Sequence, residues 1–317
     1  MTTYVIRRLA LMIPTLVGVS LLVFFAIRLI PGDIVEAMSA EQGNTSVEAM
    51  EAIRESLGLN EPAHEQYVKW VAGALRGDFG HSHFARSEPA ADRIAATLPV
   101  TLELGFLAIV IAIVIGAPIG ILSATKQDSL ADYGARIYSI TMLSVPNFWA
   151  ATLVITFGAI WFGWFPPLAY QSPFTDPIGN LQQFLVPAFI LSTSTSGSLM
   201  RMMRSSLLEV LRQDYIRTAR AKGLSPGAVV RRHALKNSMI PVITLLGTSI
   251  GPLLGGSVVI EAIFGLPGLG RLTFESIRIR DYVQVQANVV LLAAMYMLVN
   301  LLVDLTYGWL DPRIRYE

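Results

Sequence analysis

Few side chains in the apolar segments of this sequence can carry out acid–base chemistry. Arg28, Glu103 and Asp304 stand inside otherwise apolar stretches, each close to one end. Such a side chain is a candidate functional group, although an arginine near a segment end can reach the interface and a carboxylate can be hydrogen-bonded within a helix bundle. No acid lies in the middle of a segment beside a second acid or a histidine. The sequence therefore argues against a proton-driven carrier, which needs a titrating relay.

Two patterns that resemble binding motifs lack the residues that binding requires. His81 and His83 are two residues apart in a predicted loop, where solvated histidines are commoner than metal ligands. Residues 265–272 have the glycine spacing of a phosphate-binding loop, but Arg271 and Leu272 stand where lysine and a hydroxyl residue are needed. The chain also has no cysteine. We therefore predict no metal site, no nucleotide site, no catalytic residue and no disulfide in this chain.

The composition is typical of an integral membrane protein. Of 317 residues, 53% are hydrophobic and only 15% are charged, which is too apolar for soluble domains. About 20 consecutive apolar residues are needed to cross the hydrocarbon core of a bilayer. Runs of this length predict an all-α fold with six transmembrane helices at residues 9–29, 99–122, 137–162, 184–202, 240–260 and 285–307.

The distribution of lysine and arginine predicts which side of the membrane each loop faces. Short loops that are rich in these residues face the cytoplasm. The N-terminus, the second and fourth loops and the tail carry this excess, so both termini are predicted to be cytoplasmic. The predicted organisation is a cytoplasmic N-terminus with the first span (1–30), an extracytoplasmic insertion (31–96), a core of five spans (97–308) with a cytoplasmic loop between spans four and five (203–239), and a cytoplasmic tail (309–317).

The insertion, residues 31–96, is the one segment with a soluble composition. It has eleven acidic residues against five basic ones, and long segments of this kind cross a membrane largely regardless of charge. Residues 47–57 and 64–75 are predicted to be short helices, separated by a turn at residues 58–62.

The most basic part of the chain is residues 200–244. It holds nine of the 24 lysines and arginines against two acids. Gly223 can end a helix there because glycine tolerates a left-handed backbone, and Ser225 with Pro226 can begin a second one. The loop is therefore predicted to be two short helices joined by a glycine turn. Helical spacing predicts that the buried face of the first is formed by Leu208, Leu211, Tyr215, Ala219 and Lys222.

The residues around Gly223 resemble those of a known family, although composition alone is equally consistent with a basic amphipathic loop at the lipid headgroups. Asp214-Tyr215-Ile216-Arg217-Thr218-Ala219-Arg220-Ala221-Lys222-Gly223 and Arg232-His233-Ala234-Leu235-Lys236-Asn237 are similar to the cytoplasmic coupling loop, or EAA loop, of ABC-importer permeases of the dipeptide and oligopeptide branch. Arg217-Thr218-Ala219 replaces the family's Glu-Ala-Ala, so contacts of that glutamate are not carried over. The resemblance implies ATPase coupling by Asp214, Tyr215, Arg217, Thr218, Ala219, Arg220, Ala221, Lys222, Gly223, Leu224 and Ser225.

Further strings extend the resemblance over nearly the whole chain. It implies a multi-pass subunit of the bacterial inner membrane with no cofactor of its own, because ATP and magnesium would bind to two separate cytoplasmic ATPases. The other implied partners are a second homologous permease, an extracytoplasmic substrate-binding protein and the lipid bilayer, with no nucleic acid. The strings are Arg28-Leu29-Ile30-Pro31-Gly32-Asp33, Gly77-Asp78-Phe79-Gly80, Thr97-Leu98-Pro99-Val100-Thr101-Leu102-Glu103, Pro267-Gly268-Leu269-Gly270, Asn300-Leu301-Leu302-Val303-Asp304 and Asp311-Pro312-Arg313-Ile314-Arg315.

Two stripes of small or polar residues favour either helix packing or a transport path. Hydroxyls in the fourth span can bond to carbonyls of their own helix or line a polar path. Glycines every four residues in the fifth span can pack within the subunit or against a partner permease. The residues are Ser192, Thr193, Ser194, Thr195, Ser196 and Ser198 in the fourth span, and Gly247, Gly251 and Gly255 in the fifth.

Two other functional classes fit the sequence less well. An intramembrane enzyme needs a serine and histidine or paired aspartates within the bilayer, and all four histidines lie outside the predicted spans. A self-sufficient secondary carrier is expected to have carboxylates near the midplane and often two repeat halves. The predicted function is therefore ATP-driven import of di- or oligopeptides by a permease subunit. The resemblance leaves nickel, glutathione and oligosaccharides as alternative substrates.

The topology can be tested with single cysteines, since the chain has none of its own. We expect a membrane-impermeant thiol reagent to label Glu48→Cys in intact cells with a permeable outer envelope and to leave Ser225→Cys unlabelled, because the insertion is outside and the basic loop inside. The reverse labelling pattern would contradict the predicted orientation.

Overall fold

The computed structural model describes residues 2–29, 35, 47–56, 58–82, 88–167 and 169–310. Three predicted features lie outside the described residues: the Pro31-Gly32-Asp33 string, His83 and the C-terminal tail. The side chain of Asp304 lies outside them as well.

Helices make up most of the described structure. Apolar runs form helices because each backbone N–H and C=O must find a partner within the segment where water is excluded. One pair of two-residue strands, β1 (His81–Ser82) and β2 (Glu88–Pro89), is antiparallel and was not predicted. The helices are α1 (Thr2–Arg28), α2 (Val47–Ser56), α3 (Ala63–Ala74), α4 (Ala90–Thr125), α5 (Leu130–Ser144), α6 (Asn147–Phe162), α7 (Pro177–Leu211), α8 (Asp214–Ala221), α9 (Pro226–Val229), α10 (Leu235–Phe264), α11 (Leu269–Arg278) and α12 (Tyr282–Leu310).

In the described part of the chain, four helical segments are long and apolar enough to cross a membrane. They are Val5–Arg28, Ala90–Thr125, Pro226–Phe264 and Tyr282–Val303, and the bent pair of α5 and α6 would make a fifth. Helix α7 contains the predicted fourth span and has 35 residues, but its hydroxyl-rich middle lowers its hydropathy. The number of long apolar helices is therefore four or five, against six predicted spans.

The predicted third span, residues 137–162, is broken in the structure. Helices α5 and α6 meet at an angle of 92°. Pro146 has no N–H to donate, and its ring forces the preceding Val145 out of the helical region, to φ −88° and ψ 117°. Apolar residues continue on both sides of Pro146, so the proline is the feature of the sequence that indicates the bend.

The described residues divide into two compact units, and the first consists of those within 101–266 and 299–310. In this unit α7 packs against α4 at very short range. A Cβ on Gly116 would lie 2.6 Å from the backbone oxygen of Ser196, and a Cβ on Gly120 would lie 2.7 Å from that of Met200. Two glycines four residues apart thus let the two backbones touch.

The second unit consists of the described residues within 2–100 and 267–298. The two predicted helices of the insertion are present as α2 and α3, joined by a turn in which Gly58 has φ +65°. Helix α4 begins at Ala90, nine residues before the predicted start of the second span. Asp281 is fully buried and accepts a hydrogen bond from Ser82, with Arg93 3.5 Å away. The bond from Ser82 connects β1 to the residue before α12, and the ion pair with Arg93 connects α4 to the same carboxylate.

The contact between α4 and α7 predicts opposite outcomes for two glycines of α4. We expect Gly120→Val to lower the yield and thermal stability of the detergent-purified protein, because overpacking costs typically about 1–3 kcal/mol and the backbone of Met200 cannot move aside. Gly105→Val is the matched control, since no heavy atom lies within 4 Å of its Cβ position. Equal melting temperatures for the two variants would contradict this packing.

Candidate functional site

The basic loop is fixed to the rest of the first unit by an apolar face of α8. Ile216 is completely buried and Ala219 is 7% exposed. They form one cluster with Leu207 of α7 and Ala124 of α4. Full burial of an isoleucine side chain contributes roughly 1.5–3 kcal/mol, so α8 is attached to the ends of two long helices.

The predicted buried face is correct for Ala219 and wrong for Tyr215 and Lys222. Tyr215 is 42% exposed, and Lys222 is exposed as well. Helix α7 ends at Leu211 and α8 begins again at Asp214, so the helical phase is reset between them. A spacing counted on from Leu208 and Leu211, which do pack against the cluster, therefore reaches the exposed Tyr215 and misses Ile216.

The glycine turn forms as the sequence predicts. Gly223 has φ +82°, and its N–H donates to the carbonyl of Arg220 at 2.9 Å. The N–H of Leu224 donates to the carbonyl of Ala219 at 3.4 Å, and the side chain of Leu224 packs on the same apolar cluster. This pair of bonds is a Schellman motif, which requires a left-handed residue at the position of Gly223.

The second predicted helix is not a separate element. Ser225 and Pro226 begin α9 as predicted, with the Ser225 carbonyl accepting from the N–H of Val229 at 3.0 Å. A π-helical segment, Val230–Ala234, then joins α9 to α10. The whole of Pro226–Phe264 is one helical segment of 39 residues. The loop is therefore one short helix joined by a glycine turn to the start of the fifth predicted span.

Most of the predicted coupling residues form the exposed surface of this loop. Arg217 lies 3.1 Å from Asp214, but both side chains are more than 70% exposed, so this pair contributes little to stability. Tyr215 accepts a hydrogen bond from Asn237 of α10 at 2.8 Å. This bond connects the two segments, 214–223 and 232–237, that resemble the coupling loop of the family. The exposed members are Asp214, Tyr215, Arg217, Thr218, Arg220, Ala221, Lys222, Gly223 and Ser225.

A groove of about 680 Å³ lies beside this exposed surface. Its apolar base includes Ala124 and Leu208, and three arginines, Arg212, Arg220 and Arg231, stand along it. The loop therefore offers a cationic groove next to a short exposed helix.

A buried carboxylate that sequence reasoning missed joins the helix ends near this loop. Asp132 of α5 is fully buried and accepts two hydrogen bonds from Arg204 of α7, at 2.8 and 2.9 Å. Arg136 and Ser123 donate to the same carboxylate. Asp132 thus connects α4, α5 and α7. Nothing in the sequence around Asp132 indicates that its partner, Arg204, lies 72 residues away.

The hydroxyl run of α7 lies at helix contacts. Ser192 and Ser196 are buried and bond to carbonyls of their own helix. Ser196 also bonds to Tyr138 of α5, and Thr193 donates to Asn147 of α6 at 3.0 Å. Thr195 is buried, while Ser194 and Ser198 are half-buried. These bonds favour packing for Ser192, Thr193 and Ser196.

The glycine stripe of α10 does not act as one surface. A Cβ on Gly247 would overlap Val303 of α12, so Gly247 packs within the chain. Gly255 is exposed, with no heavy atom within 4 Å of its Cβ position. Gly251 is half-buried.

Two carboxylates at the far ends of the helices are held by hydrogen bonds. Glu103 accepts from Asn180 and from Tyr170, the latter at 3.0 Å. Burial raises the pKa of Tyr170 to about 12, and the bond to Glu103 adds to this shift. Glu261 of α10 is fully buried and accepts from Thr101 at 2.8 Å. Among the described residues, no three His, Asp or Glu side chains converge as a metal site.

Comparisons with known proteins agree with this architecture. The chain is 39% identical to an oligopeptide transport system permease protein of Bacillus subtilis and to a dipeptide transport system permease protein of Escherichia coli. Both alignments cover 100% of this chain and 100% of the relative. A solved inward-facing MetNI methionine ABC transporter matches 69% of this chain and 96% of its own at 20% identity, with a TM-score of 0.52. A crystal structure of an amino acid ABC transporter with histidines matches 70% of this chain and 94% of its own at 19% sequence identity, with a TM-score of 0.51. These two structures share the fold.

Two family models together account for almost all of the sequence. Residues 116–316 match the binding-protein-dependent transport system inner membrane component, and residues 1–105 match the N-terminal region of such membrane components. The chain therefore belongs to the family of inner membrane components of binding-protein-dependent transport systems.

Proposed function

We propose that this chain is the permease subunit of an ATP-driven importer that moves di- or oligopeptides from an extracytoplasmic binding protein into the cytoplasm. The observation that carries the proposal is the attachment of α8 to the membrane helices through Ile216, in a loop that is exposed on its other side. Peptides are the substrate class because relatives that align along the entire chain are named for dipeptide and oligopeptide transport.

The exposed side of the loop is the proposed docking surface for a cytoplasmic ATPase. An ATPase that carries acidic residues would complement the groove lined by Arg212, Arg220 and Arg231. Two such ATPases would bind the pair formed by this chain and a homologous second permease. Gly255, which has open space at its Cβ position, is available for close contact with that second permease.

The proposed membrane arrangement has six spans and two cytoplasmic termini. It counts α7 and the bent pair α5 and α6 as spans in addition to the four apolar helices. Helix α7 can cross the bilayer because its hydroxyls are hydrogen-bonded within the protein, as Ser192 and Ser196 show. The orientation follows the excess of basic residues in the loop that contains α8.

The transport step follows from how α8 is attached. Closure of the ATPases displaces α8, and the buried contact of Ile216 with Leu207 passes this displacement to α7. The turn at Gly223 fixes the angle between α8 and the helical segment that continues into α10. Movement of α7 and α10 then opens the path alternately to the outside and to the inside.

Uptake by reconstituted vesicles tests the proposed function. We expect proteoliposomes that contain the whole complex, with ATP inside and the binding protein with a radiolabelled dipeptide outside, to accumulate the peptide. Replacing ATP with a non-hydrolysable analogue is the control. Uptake of nickel, glutathione or an oligosaccharide by the same vesicles, with none of peptides, would overturn the proposed substrate class.

The turn at Gly223 predicts a defect in coupling that leaves the protein in the membrane. A β-branched residue with φ +82° is strained by about 1–3 kcal/mol, so Gly223→Val should lower the ATP hydrolysis that the loaded binding protein stimulates, and Gly223→Ala should lower it less. Gly134→Val is the matched control, because Gly134 lies in α5 with a helical backbone, is not part of the lining of the groove, and has no heavy atom within 4 Å of its Cβ position.

The measurement pairs the amount of membrane-inserted chain with stimulated ATP hydrolysis of the reconstituted complex. Wild-type stimulation by Gly223→Val would remove the coupling role of the turn. Loss of the inserted chain would make Gly223 a folding residue instead.

A further inference from the structure

A cavity of about 760 Å³ lies among α5, α7 and α10 of the first unit. Ser198, Arg201 and Ser205 of α7 line it, and their spacing of three and four residues puts them on one face of that helix. Ile140 of α5 and Leu245 of α10 line it as well. The cavity therefore combines a cationic, hydroxyl-bearing wall with apolar side chains.

The excess positive charge of this cavity is carried by Arg201. Arg136 and Arg204 also line it, but both are bonded to the buried Asp132, and Arg136 lies 3.3 Å from Asp128 as well. Within the described parts of the chain, Arg201 has no carboxylate within 4.0 Å, and its side chain is exposed. A ligand that suits the cavity must therefore supply an anionic group.

The contact between α4 and α7 gives the depth of Arg201 in the membrane. Met200, the residue before it, touches Gly120 of α4 through its backbone oxygen. Gly120 lies two residues before the end of the apolar run of α4 at Leu122, and the polar residues 126–129 follow. Arg201 is thus level with the end of the hydrocarbon region, where lipid headgroups begin.

We infer that this cavity binds the headgroup of an anionic glycerophospholipid, with the Arg201 guanidinium on the phosphate. A guanidinium can donate two parallel hydrogen bonds to a phosphate, and Ser198 and Ser205 lie one turn away on either side. Ile140, which is 65% exposed, and Leu245 offer apolar surface to the first carbons of an acyl chain. Basic pockets between membrane helices bind anionic headgroups in this way. On the proposed membrane orientation, this headgroup belongs to a lipid of the cytoplasmic leaflet. Only this choice of leaflet rests on the proposed function.

Native mass spectrometry of the purified complex can count the bound lipid. With phosphatidylglycerol added, we expect Arg201→Gln to retain one fewer tightly bound molecule per copy of this chain than the wild type. Arg7→Gln is the matched control, since it removes an exposed arginine from the start of α1, on the same proposed side of the membrane. Phosphatidylcholine should show a smaller loss in Arg201→Gln than phosphatidylglycerol does, because its choline cation offsets the charge of its phosphate.

Three results would overturn the inference. Equal phosphatidylglycerol counts for the wild type and Arg201→Gln would leave the cavity without a lipid. Loss of the second permease from the Arg201→Gln complex would make this face a subunit contact. Displacement of the lipid by added dipeptide would make the cavity part of the substrate path. Peptide uptake is measured separately, so a wild-type complex that transports peptide but gives equal lipid counts overturns the lipid site alone.

Discussion

The burial of Ile216 decides where the basic loop that contains α8 can lie. With no exposed surface, this side chain holds α8 against Leu207 of α7 and Ala124 of α4, both near the ends of long helices. The polar and charged residues of α8 then have to face outward. A partner that pushes on the exposed surface consequently acts on the membrane helices through a packed apolar contact, which transmits displacement because close-packed side chains have little room to yield.

Features that depend on neighbouring residues could be predicted from the sequence. The turn at Gly223 needs only a residue that accepts positive φ between two helical patterns, and the structure has both the φ and the Schellman bonds. The helices α2 and α3 of the insertion, with their turn at Gly58, followed from local patterning in the same way. Charge and length also sufficed to identify a membrane protein with a basic loop.

Features that depend on contacts distant in sequence could not be predicted. Nothing in the sequence singles out Asp132, yet Arg204, 72 residues later, pairs with it in a buried site. The close helix contact is made by Gly116 and Gly120 of α4, whereas the glycine stripe of α10 splits between an internal contact at Gly247 and open space at Gly255. Spacing indicates that a helix face is smooth, but the partner of that face is set by tertiary packing.

The central claim of the proposed function is that α8 and α7 would move together when the proposed ATPases close. Pulsed electron spin resonance between labels on Thr218→Cys in α8 and Ile178→Cys at the start of α7 tests it, since both positions are exposed and the chain has no other cysteine. The labels are separated by about the length of α7, roughly 50 Å for its 35 residues. The expected result is the same distance distribution in the nucleotide-free complex and in the complex trapped with ATP. A shift larger than the width of the distribution would show that α8 moves independently of α7.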